Sequence, residues 1–320
     1  MKRFSIALAV SLFITNVDCP CCAEPSQHRG TVPLSDKDST LTVVLTGDIL
    51  LDRGVRRVID RHGVGRLFSE GVDSVFRSAQ VVVGNLECPA TKIHAPVQKL
   101  FIFRAEPEWL DSLHLHGITH LNLANNHAID QGRKGLMDTR HNILEAGIVP
   151  IGAGENMAEA SEPVLLADHP RHVWLVPSLR LALENYAYLP DKPCVSQEPM
   201  DTLLARVAAI RSADSTAVII VSLHWGGEHT LQPSPRQRLE AHRLIRAGAD
   251  LLVCHHTHTL QTIEDYQDHR IYYSVGNFIF DQHKPLNTKA CLVSLFIKKD
   301  GLQVETIPIE IRNCVPYLLR

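Results

Sequence analysis

The sequence predicts an α/β protein whose strands are buried and largely parallel. Short apolar runs alternate with longer segments whose apolar residues recur at helical spacing, and the most polar clusters sit directly after the apolar runs. Composition agrees. The 320 residues are 45% hydrophobic and 21% charged, enough apolar mass for a large core and unlike a disordered chain. The formal charge of −3 creates no field that attracts a polyanion, and no Lys/Arg run is dense enough to grip phosphates. Nucleic acid is therefore not an expected partner.

The chain opens with Lys2 and Arg3, an apolar stretch from Phe4 to Val17, and the small residues Cys21, Cys22 and Ala23. This is the layout of a secretory signal peptide, and residues 1–23 are read as one. The apolar stretch, at about 14 residues, is shorter than the roughly 20 that cross a bilayer. Cleavage after Ala23 and a secreted or periplasmic product are expected, with an uncleaved membrane anchor as the alternative. Cleavage would leave Cys88, Cys194, Cys254, Cys291 and Cys314 in an oxidising compartment, an odd number, so at least one stays free or pairs between chains. Residues 24–40, polar and containing Pro33, read as a linker, and residues 41–320 as one folded domain.

In chain order, strands are expected at Leu41 to Thr46, Val81 to Gly84, His120 to Ala124, Val173 to Pro177, Ala217 to Leu223, Leu251 to Cys254 and Ile271 to Val275. Helices are expected at Arg104 to His116, Gly135 to Ala146 and Ser234 to Ala247, which have the length and apolar spacing for it. Leu292 to Phe296 and Leu302 to Ile311 are strand-like, and Asp300-Gly301 between them signals a hairpin. Pro150 to Pro163 and Tyr186 to Pro199 read as excursions, and no internal repeat is present.

Five polar clusters follow strands: Asp48; Asn85 and Glu87; Asn125 to His127; His224; and His255, His256 and His258. The carboxyl ends of strands form the crevice where α/β proteins bind ligands, so these residues converge on one rim. Imidazole with carboxylate binds zinc, iron or manganese, and amide oxygen is tolerated by the harder ions. His256 and His258, two apart on an extended loop, point the same way and can serve one ion or two adjacent ones. His224 ends an almost wholly apolar strand, and Gly226 and Gly227 after it permit a tight turn beside a ligand. Gly47 and Gly84 are either turn residues or points of close backbone approach. Asn125 and Asn126 have an alternative role as caps for a helix starting near Gln131. His62, His94, His114, His116, His141 and His283 read as surface residues.

Thr46-Gly47-Asp48, Gly84-Asn85-Leu86-Glu87, Ala124-Asn125-Asn126-His127 with Asp130 and Gly132, His224-Trp225-Gly226, Cys254 to His258, and Ser274 to Gln282 form an ordered series. The series, spanning roughly residues 41 to 285, resembles the motifs of CapA-type poly-γ-glutamate capsule synthesis proteins. That resemblance implies a branch of the calcineurin-like metallophosphatase fold, a β-sandwich flanked by helices with metals at the strand ends. It implies Asp48, Asn85, Glu87, Asn126, His224, His256 and His258 as ligands of one or two divalent ions, Mn, Fe or Zn. It makes His127 a general acid oriented by Asp130. The chain departs from the pattern at Leu50, where metallophosphatases carry a His, and at Asn85 and Glu87, where they use a bridging Asp. Cys254 stands where the pattern has Gly, as a ligand, a disulfide partner of Cys88 or a buried small residue. Asn277 and Asp281 would support the site.

The implied activity is metal-dependent hydrolysis of a γ-glutamyl amide or of a phosphoester, with His127 protonating the leaving group. The implied partners are an anionic polymer such as poly-γ-glutamate and a membrane synthase or export complex. The alternative role is a non-catalytic polymer-binding or assembly factor. Arg53, Arg56, Arg57 and Arg133 would form a basic rim for the polymer, or else a solvated helix face.

Overall fold

The computed structural model describes residues 40–181 and 189–319. The signal peptide expected at 1–23, the linker apart from Thr40, and Tyr186 to Tyr188 of the second excursion lie outside the described residues. The first half runs β1 (Leu41–Ile49), α1 (Arg53–His62), α2 (Glu70–Arg77), β2 (Val81–Leu86), α3 (Trp109–Leu115), β3 (His120–Asn122), α4 (Gly132–Glu145) and β4 (Val149–Ile151). It continues through β5 (Ala153–Gly154), α5 (Met157–Ala160), β6 (Val164–Ala167), β7 (Val173–Leu179), β8 (Cys194–Val195), α6 (Met200–Ala213) and β9 (Val218–His224). Then come α7 (Pro235–Ala247), β10 (Leu251–His255), β11 (Ile263–Tyr266), β12 (His269–Tyr272) and β13 (Asn277–Ile279), and finally α8 (Pro285–Thr288), β14 (Lys289–Lys298), β15 (Gly301–Arg312) and β16 (Val315–Leu318).

Two sheets face each other. The first has the order β16-β15-β14-β1-β2-β3-β4, with β13 also paired to β1, and the second has the order β11-β12-β10-β9-β7-β6. Strands β1 to β4 are parallel, as are β7, β9, β10 and β12, while β14 to β16, β6 and β11 pair antiparallel at the margins. The expected parallel strands are thus the centres of both sheets, and the excursions supply the small β5–β8 pair.

Strand alternation explains the layering. Leu41, Val43 and Leu45 of β1 and Val81 and Val83 of β2 turn inward and pack on Val173, Leu175, Val218, Ile220, Leu251 and Val253 of the second sheet. Val44 and Val82 turn outward onto Val55, Val72, Phe76, Leu110 and Leu136 from α1 to α4. On the far side, Val176, Ile219, Val221 and Leu252 pack on Leu203 and Val207 of α6 and Ala241 and Leu244 of α7. Each of these side chains except Ala241 contributes about 1.5–3 kcal/mol by leaving water. The result is a helix–sheet–sheet–helix sandwich, as the family resemblance implied.

Some boundaries differ from the sequence reading. The helix expected from Arg104 starts only at Trp109, because Pro107 holds the residue before it out of helical geometry. The strand expected to end at Val275 ends at Tyr272, after a hairpin whose central residues Gln267 and Asp268 both take positive φ, 51° and 65°. In the terminal hairpin the turn is Lys299-Asp300, and Gly301 already pairs with Lys298.

Candidate metal centre

Each polar cluster read from the sequence arrives at one rim. Asp48 sits near the end of β1, Asn85 in β2 and Glu87 just after it, Asn126 and His127 in the loop leaving β3, His224 at the end of β9, and His256 and His258 in the loop leaving β10. All are buried. The β1 backbone reaches the rim only because residue 47 lacks a side chain. A Cβ on Gly47 would lie 2.2 Å from the Gly276 carbonyl oxygen, and the strand shifts register here against both β2 and β13. Gly84 is likewise a point of close approach, its absent Cβ falling 2.6 Å from Ile49 Cδ1.

The donors form two adjacent groups. In the first, His224 Nε2 lies 2.8 Å from Asn126 Oδ1, 3.1 Å from His256 Nδ1 and 3.1 Å from Glu87 Oε1. In the second, His258 Nδ1 lies 3.3 Å from Asp48 Oδ2, 3.8 Å from Glu87 Oε2 and 3.0 Å from Asn277 Oδ1. Donors about 2.1 Å from one cation stand roughly 3 Å apart, so these separations suit coordination. Glu87 belongs to both groups. Its two carboxylate oxygens are buried and, among the described residues, neither makes a hydrogen bond, their nearest polar neighbours being the His224 and His258 ring nitrogens. An unsatisfied carboxylate in such a place is costly unless something positive meets it. The donor set therefore fits a divalent cation.

Asn85 works within the cluster: its amide donates to Asp48 Oδ1 at 2.8 Å, lies 3.4 Å from His224 Nδ1, and accepts from Asn125. Asn125 does not cap α4, because its Oδ1 accepts from the His127 and Ala128 backbone and fixes the turn that presents His127. His127 Nδ1 sits 2.8 Å from Asp130 Oδ2, an oxygen that also accepts from the Phe103 N–H. Lys99 completes this arrangement, donating to the Asn126 carbonyl and lying 3.4 Å from Asp130 Oδ1. Neither Lys99 nor Phe103 was marked by the sequence, since both lie in an irregular loop without periodic signal. His255 instead spans the two sheets, its Nε2 3.0 Å from the Thr46 carbonyl.

Behind the donors, the Phe280 ring packs on His258 and the Phe103 ring on His127, with centroids 4.6 and 4.3 Å apart. The Arg53 guanidinium lies over both phenyl rings and pairs with Asp281, which thereby holds Arg53 against them. Arg56 is paired with Asp52 and Glu106, and Arg133 bonds the Pro193 carbonyl. Arg53, Arg56 and Arg133 are thus engaged within the fold. Leu50 is fully buried against the helices, so β1 delivers only Asp48 to the centre. The described cysteines are all free and buried, and Cys254 packs in the core behind the second sheet.

Burial dominates the electrostatics. It drives the His224 pKa well below the ordinary value, helped by His256 and His255, and brings His256 down to about 3, so both are neutral imidazoles with lone pairs available. Burial, reinforced by the Asp48 charge, raises Glu87 well above a normal carboxylate. At Asp48 burial acts upward but is outweighed by the His258 hydrogen bond and the His255 and His258 charges, leaving it low. At His258 burial acts downward, and Glu87 and Asp48 overcome it to reach about 9. The second group thus holds Asp48 as an anion beside His258 as a cation. Next to the donors opens a cleft of about 360 Å³ lined by Lys99, Phe101, Asn126, His127, Glu228 and His256.

Fold and site together define an α/β sandwich protein with a buried imidazole, carboxylate and amide cluster able to hold divalent cations at its rim. Residues 42–282 match the family described as bacterial capsule synthesis protein PGA_cap, and the chain belongs to that family. It is 30% identical over 307 residues to the capsule biosynthesis protein CapA of Bacillus anthracis, covering 91% of this chain and 71% of that one. It is 31% identical over 284 residues to the PGA biosynthesis protein CapA of Bacillus subtilis, covering 87% and 74%. Among solved structures, it is similar to an NAD nucleotidase of Haemophilus influenzae, at 10% identity and a TM-score of 0.47, covering 86% of this chain and 57% of that one. It is also similar to a sulfate thiohydrolase, SoxB, of Thermus thermophilus, at 11% identity and a TM-score of 0.48, covering 87% and 57%. The chain spans little more than half the length of these solved chains.

Proposed function

We propose that this chain is an exported, metal-dependent hydrolase that processes a γ-glutamyl polymer during capsule synthesis. The observation that carries the reading is Glu87, a buried carboxylate whose two oxygens make no hydrogen bond among the described residues, each facing a different set of donors. Two ions are proposed, one held by Glu87, His224, His256 and Asn126, the other by Asp48, Glu87 and His258, with Asn85 tying Asp48 to the first set. Manganese, iron and zinc suit these donors. A cation held there supplies charge stabilisation at a polarised carbonyl or phosphoryl oxygen and eases the ionisation of water.

The protein residues supply the rest. Water adds through its oxygen to the amide carbonyl carbon and releases one proton to solvent, the carbon–nitrogen bond breaks, and the departing nitrogen takes a proton from the His127 ring, which regains one from solvent. Asp130 on Nδ1 fixes the orientation of that ring, leaving Nε2 for the substrate. Lys99 and the cleft floor hold the acidic chain. The names of the two Bacillus relatives, which refer to capsule and PGA biosynthesis, favour an amide polymer over a phosphoester, and the N-terminal signal-like segment favours a secreted or periplasmic location.

The purified protein, given manganese or zinc, should shorten poly-γ-glutamate, and His127→Ala should slow this by about a hundredfold or more. Turnover of a generic phosphodiester with no effect on the polymer would replace this reading by a phosphoesterase. Absence of turnover on both, with the polymer still bound, would replace it by an assembly factor.

A further inference from the structure

A second cavity lies beside the cleft. Its volume is about 420 Å³, and its walls include Arg180, Leu181, Trp225, Gly226, Arg236 and Gln237. It adjoins the metal centre directly: Trp225 and Gly226 follow His224, the Arg180 N–H donates to the His224 carbonyl at 2.9 Å, and Leu181 lines both cavities.

The donors at this cavity are unusual for being unused. Gln237 Oε1 accepts from the Ser234 N–H in the capping box that opens α7, which assigns the amide and turns Nε2 the other way. That Nε2 has no partner among the described residues, although Gln237 is only 7% exposed. A Cβ on Gly226 would lie 2.7 Å from it, so the amide stands against the cavity wall that Gly226 forms. Among the described residues, Arg180 Nε is also buried without a partner and Arg180 forms no ion pair. Its Nη1 donates to the Glu198 carbonyl, which fixes the guanidinium without neutralising it.

Charge selects the ligand. Two cations, Arg180 and Arg236, and one carboxylate, Glu240, line the cavity; Glu240 lies 2.9 Å from Arg236 and its charge also reaches Arg180, so the cavity keeps a net charge of one positive unit at the N-terminal end of a 13-residue helix. One carboxylate balances it and presents two oxygens to the guanidinium and amide donors, whereas a phosphate dianion would overshoot.

We propose that this cavity is a carboxylate subsite that takes the free carboxylate of one acidic polymer unit while a neighbouring amide link lies in the cleft. The proposal rests on the reading of the cleft as a polymer site. Calorimetry on the full, manganese-loaded chain tests it, with a γ-glutamyl pentamer, its methyl ester and inorganic phosphate as probes. Arg180→Gln should weaken pentamer binding about tenfold or more, and Arg236→Ala, on the exposed helix start, about threefold. Metal content should stay unchanged in both, and the methyl ester should bind the unmodified protein as weakly as the free pentamer binds Arg180→Gln. Equal affinity across the variants, phosphate competing as well as the pentamer, or no pentamer binding at all would overturn it. The two readings fail separately: binding that depends on Arg180 without turnover leaves the subsite and removes the hydrolase, while turnover with unchanged KM in Arg180→Gln does the reverse.

Discussion

At the residue scale, burial suppresses the ordinary ionisation of His224, His256 and Glu87 at the centre, while Asp48 and His258 hold each other charged. His120 shows the same physics away from the donors. It is 1% exposed on the inner face of β3, its Nδ1 2.8 Å from Thr119 Oγ1 and its Nε2 without a partner. Burial lowers its pKa to about 4 from the ordinary histidine value of about 6.5, so it stays neutral in the fold. The unfolded chain takes up this proton below about pH 6.5 and the folded chain only near pH 4, so stability is complete above that window and falls as pH drops through it. The loss attributable to His120 approaches roughly 3 kcal/mol. Urea unfolding at pH 7.5, 5.5 and 4.5 should show a shallower acid decline for His120→Gln than for the unmodified chain; parallel declines would contradict this. Asp48, Glu87, Asn126, His127, His224, His256 and His258 were legible in the sequence because each follows an apolar run. Lys99, Phe103, Arg180 and Gln237 were not, because their roles come from loops and a helix cap that meet the site only in three dimensions.

Elements place these residues, and the tightest constraint is where β1 passes the segment leading into β13. The space for residue 47 is already filled by the Gly276 carbonyl, and Asp48 is next in line. Gly47→Ala should therefore cost about 1–3 kcal/mol or more and also weaken metal uptake, because β1 must move away from its neighbour and takes Asp48 with it. Thermal unfolding read together with metal titration checks both effects, and an alanine variant with unaltered metal affinity would contradict the account. Most parallel strands could be read from their apolar runs. Helices α1, α2 and α6 could not: α1 carries only Val55, Val58 and Ile59 among arginines and acids, a stripe too thin to register as a period, yet Asp52 caps it and Leu67, Phe68 and their neighbours cover it.

At the scale of the whole molecule, what the strand pattern alone could not supply is the pairing of two sheets. Fully buried parallel strands look alike whether helices cover both faces or a second sheet covers one, so alternation indicated α/β, and the motif order indicated the sandwich. The facing sheets matter to function because β1 and β2 bring the carboxylates while β9 and β10 bring the imidazoles, and only their apposition puts Glu87 between His224 and His258. The described residues contain no helix long and apolar enough to cross a membrane.

Metal stoichiometry of the purified chain beside its Glu87→Gln, His256→Ala and His258→Ala variants is the most direct test of a centre built around one shared carboxylate. The account predicts two ions in the unmodified protein, loss of one in each histidine variant, and loss of both in Glu87→Gln with the fold retained by circular dichroism. A metal-free unmodified protein, or a Glu87→Gln variant that keeps its full complement, would contradict it.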